Sequence, residues 1–552
     1  MSPSPAHAGA RALLFLVSGL ATAPAWAANL YVSPAGGDLS LACSLAQPCR
    51  EIRRALELVA PGAMILVADG TYKGFDVDGV HGTPAGPITI KALGSGAQIL
   101  PTTDRPDDRD TVFVTISSYV VIDGLRSFGA TRAAVRVDQS PHVTVRNGVF
   151  GNNTRWGIFT DFSDDLLIES NECYGSQLEH GIYVSNSGDR PVLRGNRVHD
   201  NVASGIQLNA DLSAGGDGII TGALIEGNVI YGNGTAGGAA INLDGVQDSV
   251  VRNNLLYGNH ATGIVNYAGD GAEGPRGMQI LHNTIDQAID GRWALLIHDT
   301  TGANTVRNNI LYNRHPFRGS IEYGNATDVT NTDSDYNVMD WVSNDAGNTR
   351  ISLAPWQALG HEPHSVPSGP LATLFVNANG GDYYLPSGSP AVDAGQTLAG
   401  VTVDLEGRPR PQGTASDIGA YEKSSAAGFF TVTPCRVANT RNPVGPSGGP
   451  ALGANTTRTF PVTGICGIPS TATAVALNVT VVDETDLGDL RLYPAGSPAP
   501  SSSAINFAVD KVRANNAIIP LGSGGKISVR CDMAPSSTGQ THFLSDVTGY
   551  FQ

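Results

Sequence analysis

The chain has 552 residues, a formal net charge of −16 at pH 7, 67 glycines and 7% aromatic residues. That length exceeds what one ordinary hydrophobic core holds, and glycine in this number favours turns and short strands over helical bundles. The negative charge argues against nucleic acid and anionic membranes as partners, although local cations can still reverse the field inside a single cleft.

At the N-terminus, an apolar run from Ala12 to Ala21 follows Arg11 and precedes Ala25-Trp26-Ala27, a small-x-small cleavage pattern. Residues 1–27 therefore read as a secretory signal peptide, too short to be a membrane span. No later apolar stretch reaches spanning length, so the mature chain is expected to be extracellular, periplasmic or on the cell surface. Six cysteines in an exported chain are expected to be partly paired: Cys43 with Cys49, and two of Cys435, Cys466 and Cys531 with each other. Cys173 reads as a buried thiol, and no zinc-finger spacing occurs. Ile52, Ala55, Leu56 and Val59 have helical spacing and end at Pro61-Gly62, which predicts a short amphipathic helix capping the structure that follows.

A self-similar unit then runs through the middle of the chain. Val145-Arg-Asn-Gly-Val-Phe, Leu193-Arg-Gly-Asn-Arg-Val, Val251-Arg-Asn-Asn-Leu-Leu and Val306-Arg-Asn-Asn-Ile-Leu are examples. Aligned on the polar residue, the column reads Asp123, Asn147, Asn171, Asn196, Asn228, Asn254, Asn283, Asn309 and Asn337, at steps of 24 to 32 residues. A turn of this kind cannot bury its own apolar side and must stack on its neighbours, which predicts a right-handed parallel β-helix over residues 28–345. The asparagines read as structural: they tolerate left-handed backbone and bond the same amide one turn away.

A second ladder precedes each bend, with inward residues at the starts of Ala134-Val, Gly157-Ile, Gly181-Ile, Gly205-Ile, Ala240-Ile, Gly263-Ile, Ala294-Leu and Ser320-Ile. Strand alternation then sends Arg136, Phe159, Tyr183, Gln207, Asn242, Val265, Leu296 and Glu322 outward. Two residues further on, a second outward column holds Asp138, Asp161, Ser185, Asn209, Asp244, Tyr267, His298 and Gly324. The register at Val265-Asn266-Tyr267 is the weak point, because it turns Asn266 inward. Two long inserts, Ala210–Thr221 and Ala268–Gly277, follow the same strand type and should wall this face.

Leu30-Tyr-Val-Ser-Pro-Ala-Gly-Gly-Asp, Pro48-Cys-Arg-Glu-Ile, Asp69-Gly-Thr-Tyr and Gly86-Pro-Ile-Thr-Ile-Lys resemble the N-terminal part of the pectate-lyase-like superfamily, which includes chondroitinase-B-like polysaccharide lyases. The resemblance spans residues 29 to about 340; it implies the β-helix and leaves open lyase, hydrolase, epimerase or binding activity. Ser387-Gly-Ser-Pro-Ala-Val-Asp-Ala-Gly and Asp417-Ile-Gly-Ala-Tyr-Glu resemble the choice-of-anchor Q segment, so residues 346–423 are expected to close the β-helix. Residues 424–552 alternate in short strands such as Ala474-Val-Ala-Leu-Asn-Val-Thr-Val and read as a small accessory β-sandwich.

The expected partner is a polysaccharide bound by a monomer, and β-elimination on a uronic-acid polymer is the favoured chemistry. It needs a base, an acid and a group that neutralises the carboxylate. Tyr267 and His298 supply base and acid, with Tyr183 as a substitute for Tyr267, and Asn209, Gln207 or Asn242 holds the carboxylate. Arg136, Phe159 and Asp244 complete the expected binding surface, with Arg136 also the outward candidate for an arginine base. No lysine occurs between Lys91 and Lys423, so a lysine base is excluded from the repeats. Glycoside hydrolysis would use Asp138 with Asp161, or Asp244 with Asp211 or Asp270; Asp211, Asp244 and Asp270 also suit calcium. A non-catalytic glycan-binding protein using Phe159 and Tyr183 is the alternative from another class. His180 and His199 read as structural.

Overall fold

The computed structural model describes residues 29–39, 42–104, 108–186, 188–423 and 428–552, so the signal segment lies outside the described residues. The chain divides into two compact units, 1–423 and 424–552. Among the described residues no helix is long and apolar enough to cross a membrane.

Strands of three to six residues recur in the first unit because each turn offers only two or three inward positions before the chain must bend. They stack into three long sheets. The first has 12 strands, from Asn29–Val32 to Thr332–Asp335; the third has 10, from Gly70–Lys73 to Ile310–Asn313. The second, which carries the candidate face, has 12, from Phe75–Asp78 to Ile351–Ser352. Pairing is parallel from turn to turn, and right-handed crossovers make a right-handed β-helix. The inward column of the second sheet is Val135, Ile158, Ile182, Ile206, Ile241, Ile264, Leu295 and Ile321, every member fully buried and in register with the next.

Register is pinned by asparagine amides inside the solenoid. From Asn171 through Asn196, Asn228, Asn254, Asn283 and Asn309 to Asn337, each backbone N–H donates to the next side-chain oxygen at 2.9–3.1 Å. Each side-chain NH2 donates both to that oxygen and to a strand carbonyl one turn back. Two members of the expected column do not belong to it. Gly148, not Asn147, occupies the equivalent place and donates its N–H to Asn171 at 2.9 Å. Asn147 sits one residue earlier at φ 55° and binds Asp123, which pairs with Arg146 two residues out of line. The left-handed angle therefore belongs to the residue before the ladder, including Ser170, Asn253, His282 and Asn308, rather than to the ladder asparagines. A second amide ladder at the next bend, Asn201–Asn233–Asn259, escaped the sequence reading.

The helix at Ile52–Leu56 buries Ile52, Ala55 and Leu56 against the first turns. At the other end Leu353 and Trp356 enter the interior core. Residues 371–423 do not cap that end; they run along the flank, packing Leu374, Phe375, Tyr383 and Ile418 on Leu255, Ile310 and Val338. Arg410 and Glu422 form a buried ion pair at 2.7 Å within this strap. The second unit packs two antiparallel sheets, one built on Ala474–Val482 and Gln540–Phe551, the other on Gly488–Pro494 and Lys526–Met533. Disulfides join Cys43 to Cys49 and Cys435 to Cys466, while Cys173 and Cys531 are buried thiols. Two disulfides fit an oxidising compartment.

Asn266 does point inward, fully buried between Leu243 and Ile297, and both its amide atoms lack partners. Ladder and orphan should respond oppositely to mutation. Asn228→Ala strands the Asn196 N–H and the Leu193 carbonyl and should cost about 2–4 kcal/mol, whereas Asn266→Leu should raise the melting temperature. Thermal unfolding of both variants checks this; a stable Asn228→Ala protein would contradict the ladder's role.

Candidate active site

The two outward columns of the second sheet stand in the predicted register. Arg136, Phe159, Tyr183, Gln207, Asn242, Val265, Leu296 and Glu322 are consecutive Cα partners, as are Asp138, Asp161, Ser185, Asn209, Asp244 and Tyr267. Continuing that pairing one residue places Tyr267 beside His298 on neighbouring turns, about 4.8 Å apart along the stack. The face then changes character along its length.

Its N-terminal stretch is aromatic and self-satisfied. Phe159 is only 8% exposed, with the Arg136 guanidinium 4.7 Å from its ring centre on one side and the Tyr183 ring at 5.3 Å on the other. Phe159 is thus a covered element rather than a free platform. Arg136 also lies 3.6 Å from Asp138 and 3.4 Å from Asp161. The guanidinium thus sits between the two carboxylates that hydrolysis would use and is engaged by both. Burial raises the Asp161 carboxyl above its ordinary value despite these partners. His180 accepts the Ser204 N–H at 3.1 Å and edges onto Tyr183; burial pushes it down to about 4. His199 is stacked between Tyr174 and Tyr231 on the third sheet. Both histidines are structural.

In the middle of the face the two inserts meet. Leu212 donates its N–H to the Asp270 carbonyl at 3.1 Å, and Ala272 to Gly218 at 2.9 Å, so they form one wall. Their aspartates are occupied in building it. Asp244 accepts the N–H groups of Gly269, Asp270 and Gly271 at 2.7–3.0 Å. Asp211 accepts Ser213 N–H and hydroxyl, and Asp270 accepts the Asn209 amide at 3.1 Å. Among the described residues no three His, Cys, Asp or Glu side chains are grouped to hold a metal ion. The expected calcium set Asp211, Asp244 and Asp270 is therefore not grouped as a cage, and both oxygens of Asp244 are taken by the loop N–H groups. Gln207, Asn209 and Asn242 are nearly buried, and the side-chain oxygens of Asn209 and Asn242 have no protein donor.

Beyond the wall lies a pocket of about 580 Å³. Asn242, Tyr267 and His298, three of the predicted residues, line it together; Tyr183 does not. The Tyr267 hydroxyl is pushed up to about 12, first by burial and then by the Asp244 charge, with Asn242 opposing through a hydrogen bond. Tyr183 is likewise pushed up to about 12 by burial. Both phenols are therefore held in the neutral form. His298 Nε2 lies 3.1 Å from Glu322 Oε1. Burial alone would lower His298, but the Glu322 contact and charge outweigh it and hold the ring above its ordinary value. The sequence reading missed Arg292, Trp293 and Arg318, which also line the pocket, and it placed Glu322 outward without giving it a role. The two arginines stand two residues before the strand starts Ala294 and Ser320, so aligning the turns on the inward column would have found them.

Residues 88–235 and 127–348 match the family described as Periplasmic copper-binding protein (NosD). Over 116 residues the chain is 31% identical to a mannuronan C5-epimerase of Pseudomonas syringae pv. tomato (strain ATCC BAA-871 / DC3000), covering 21% of this chain and 19% of the epimerase. The chain thus spans about a fifth of that relative. Pectate lyase Pel9A superimposes with a TM-score of 0.50 at 17% identity, covering 72% of this chain and 96% of the lyase. An alginate lyase from Paenibacillus sp. str. FPU-7 aligns at 23% identity and TM-score 0.39, covering 49% of this chain and 94% of the lyase. Copper favours imidazole, thiolate and thioether donors, and the pocket offers one imidazole, already facing Glu322. With a single imidazole and no cluster of three His, Cys, Asp or Glu side chains among the described residues, the site does not fit a copper ion.

The His298–Glu322 pairing yields a direct check. In Glu322→Gln the largest upward influence is gone and burial is opposed only by the charges of Asp299 and Asp328, so the His298 titration midpoint should fall. NMR titration of the ring C–H signals reads it; an unchanged or higher midpoint would show that Glu322 does not set the charge of His298.

Proposed function

On the premise that the solenoid belongs with the right-handed parallel β-helices of the pectate-lyase-like kind, we propose that this exported protein acts on a uronic-acid-containing polysaccharide by removing the proton at C5. The observation that carries the reading is the convergence of Tyr267, His298 and Asn242 on one pocket of the outward face.

The electrostatics exchange the roles expected from sequence. A phenol at about 12 is a proton donor at neutral pH, so Tyr267 protonates the leaving glycosidic oxygen. His298, whose ring Glu322 holds above its ordinary value against the effect of burial, accepts the C5 proton in its neutral form. The electron pair left at C5 forms the C4–C5 double bond as the C4–O bond breaks. A second reading is supported by the epimerase similarity: the carbanion is reprotonated from the opposite face and the chain stays whole. Both begin with the same proton abstraction.

Purified mature protein should be incubated with pectate, alginate and chondroitin in D2O, following unsaturated-uronide absorbance and deuterium at C5. Elimination gives absorbance; epimerisation gives C5 deuterium in intact chains. Tyr267→Phe or His298→Ala should each lower the rate by roughly 100-fold or more. The rate should fall as pH drops through the His298 midpoint, where the base becomes protonated, and hold well into alkaline pH. Neither signal on any polymer would sink the enzymatic reading in favour of a binding protein.

A further inference from the structure

The pocket lies where the outward face runs out. After Trp341–Ser343 the second sheet gains only the short antiparallel strand Ile351–Ser352, so no further parallel turn extends the groove. The connecting turn folds back over the site, and its Ala346 and Gly347 line the pocket. It is well fixed. Ala346 N–H donates to the Tyr323 carbonyl at 3.0 Å, Gly347 N–H to the Ser343 hydroxyl at 2.9 Å, and Asp345 accepts the Thr349 N–H at 2.9 Å. Gly347 has φ 78°, and a Cβ there would stand 2.9 Å from Glu322 Oε2 and 3.2 Å from Trp293 Nε1. Backbone thus rests directly on the pocket's end, and the cleft is blind on this side. Arg350 braces it, stacking on Trp341 at 4.2 Å and donating to the carbonyls of Pro316 and Phe317 at 3.0 and 2.7 Å.

Charge at this end also differs from the rest of the face. The residue two before the strand start is arginine on four turns. Arg132 is paired with Asp110, and Arg155 lies 3.3 Å from Glu179. Arg292 and Arg318, at the same position by the blind end, have no ion pair with any carboxylate among the described residues; the Arg318 guanidinium donates to the Gly291 carbonyl at 3.3 Å. The nearby Glu322 is engaged by His298. An acidic protein has thus left two guanidinium groups unneutralised at the closed end of its own cleft, where a carboxylate accepts their paired N–H donors.

We infer that this blind end binds the terminal sugar of an acidic polysaccharide, its carboxylate held by Arg292 and Arg318. The inference rests on the reading that this face takes a uronic-acid polymer, and it makes the site one for chain ends rather than chain interiors.

Calorimetry with unsubstituted trimers of galacturonate and mannuronate, their methyl esters, and acidic chains several times longer tests it. Affinity per chain should be the same for trimer and long chain within about twofold, since each chain has one matching end. The methyl ester should bind about tenfold or more weakly, and Arg292→Gln with Arg318→Gln should abolish the preference for the free acid. Arg292→Gln alone, at an exposed side chain, should weaken binding of the free acid and guards against misfolding of the double variant. Affinity per chain that climbs with length, or an unaltered preference in the arginine variants, overturns the chain-end site and leaves the acidic-polymer reading standing. No binding of any acidic sugar overturns both.

Discussion

Everything on the outward face depends on the register between turns, and buried amides hold that register. A strand ladder alone tolerates slippage, because every backbone group finds a partner at any shift. The asparagines from Asn171 to Asn337 do not, since each must meet the next amide at one height. A one-residue slip would exchange Asn266 with Tyr267 across the sheet, turning the phenol into the core and emptying the pocket. The geometry of the outward face is thus inherited from interior hydrogen bonds.

The second determinant is how charge is disposed of along the face. Arg136 is cancelled by Asp138 and Asp161, and Asp244 by three backbone N–H groups. Those charges have become structure. What stays uncommitted lies at one end: two arginines and a protonated phenol, beside a histidine whose ring Glu322 holds above its ordinary value. A net negative protein can therefore offer an anionic chain a local welcome, screened less there than on the open surface.

Much of this was legible in the sequence. Alternation about the buried Ile column, with its fixed polarity, placed both outward columns residue by residue and brought Tyr267 beside His298. Alignment by residue type was less dependable: Asp123 and Asn147 carry the right chemistry at the wrong height, because their bends contain Leu125 and Gly148 at the ladder position. The charge states of the pocket residues were not legible, since they follow from burial of Tyr267 and from Glu322 reaching His298 across a turn. Arg292 and Arg318 were hidden in turns of unequal length. The flank strap was also hidden, because its contacts, such as Asn308 to the Gln396 carbonyl at 2.7 Å, join residues remote in sequence.

The most direct test of the account is a crystal structure of the Tyr267→Phe variant soaked with an acidic trisaccharide. The account predicts sugar density in the pocket, with C5 facing His298 and the glycosidic oxygen facing position 267. Ordered sugar on another face of the solenoid, with this pocket empty, would contradict it.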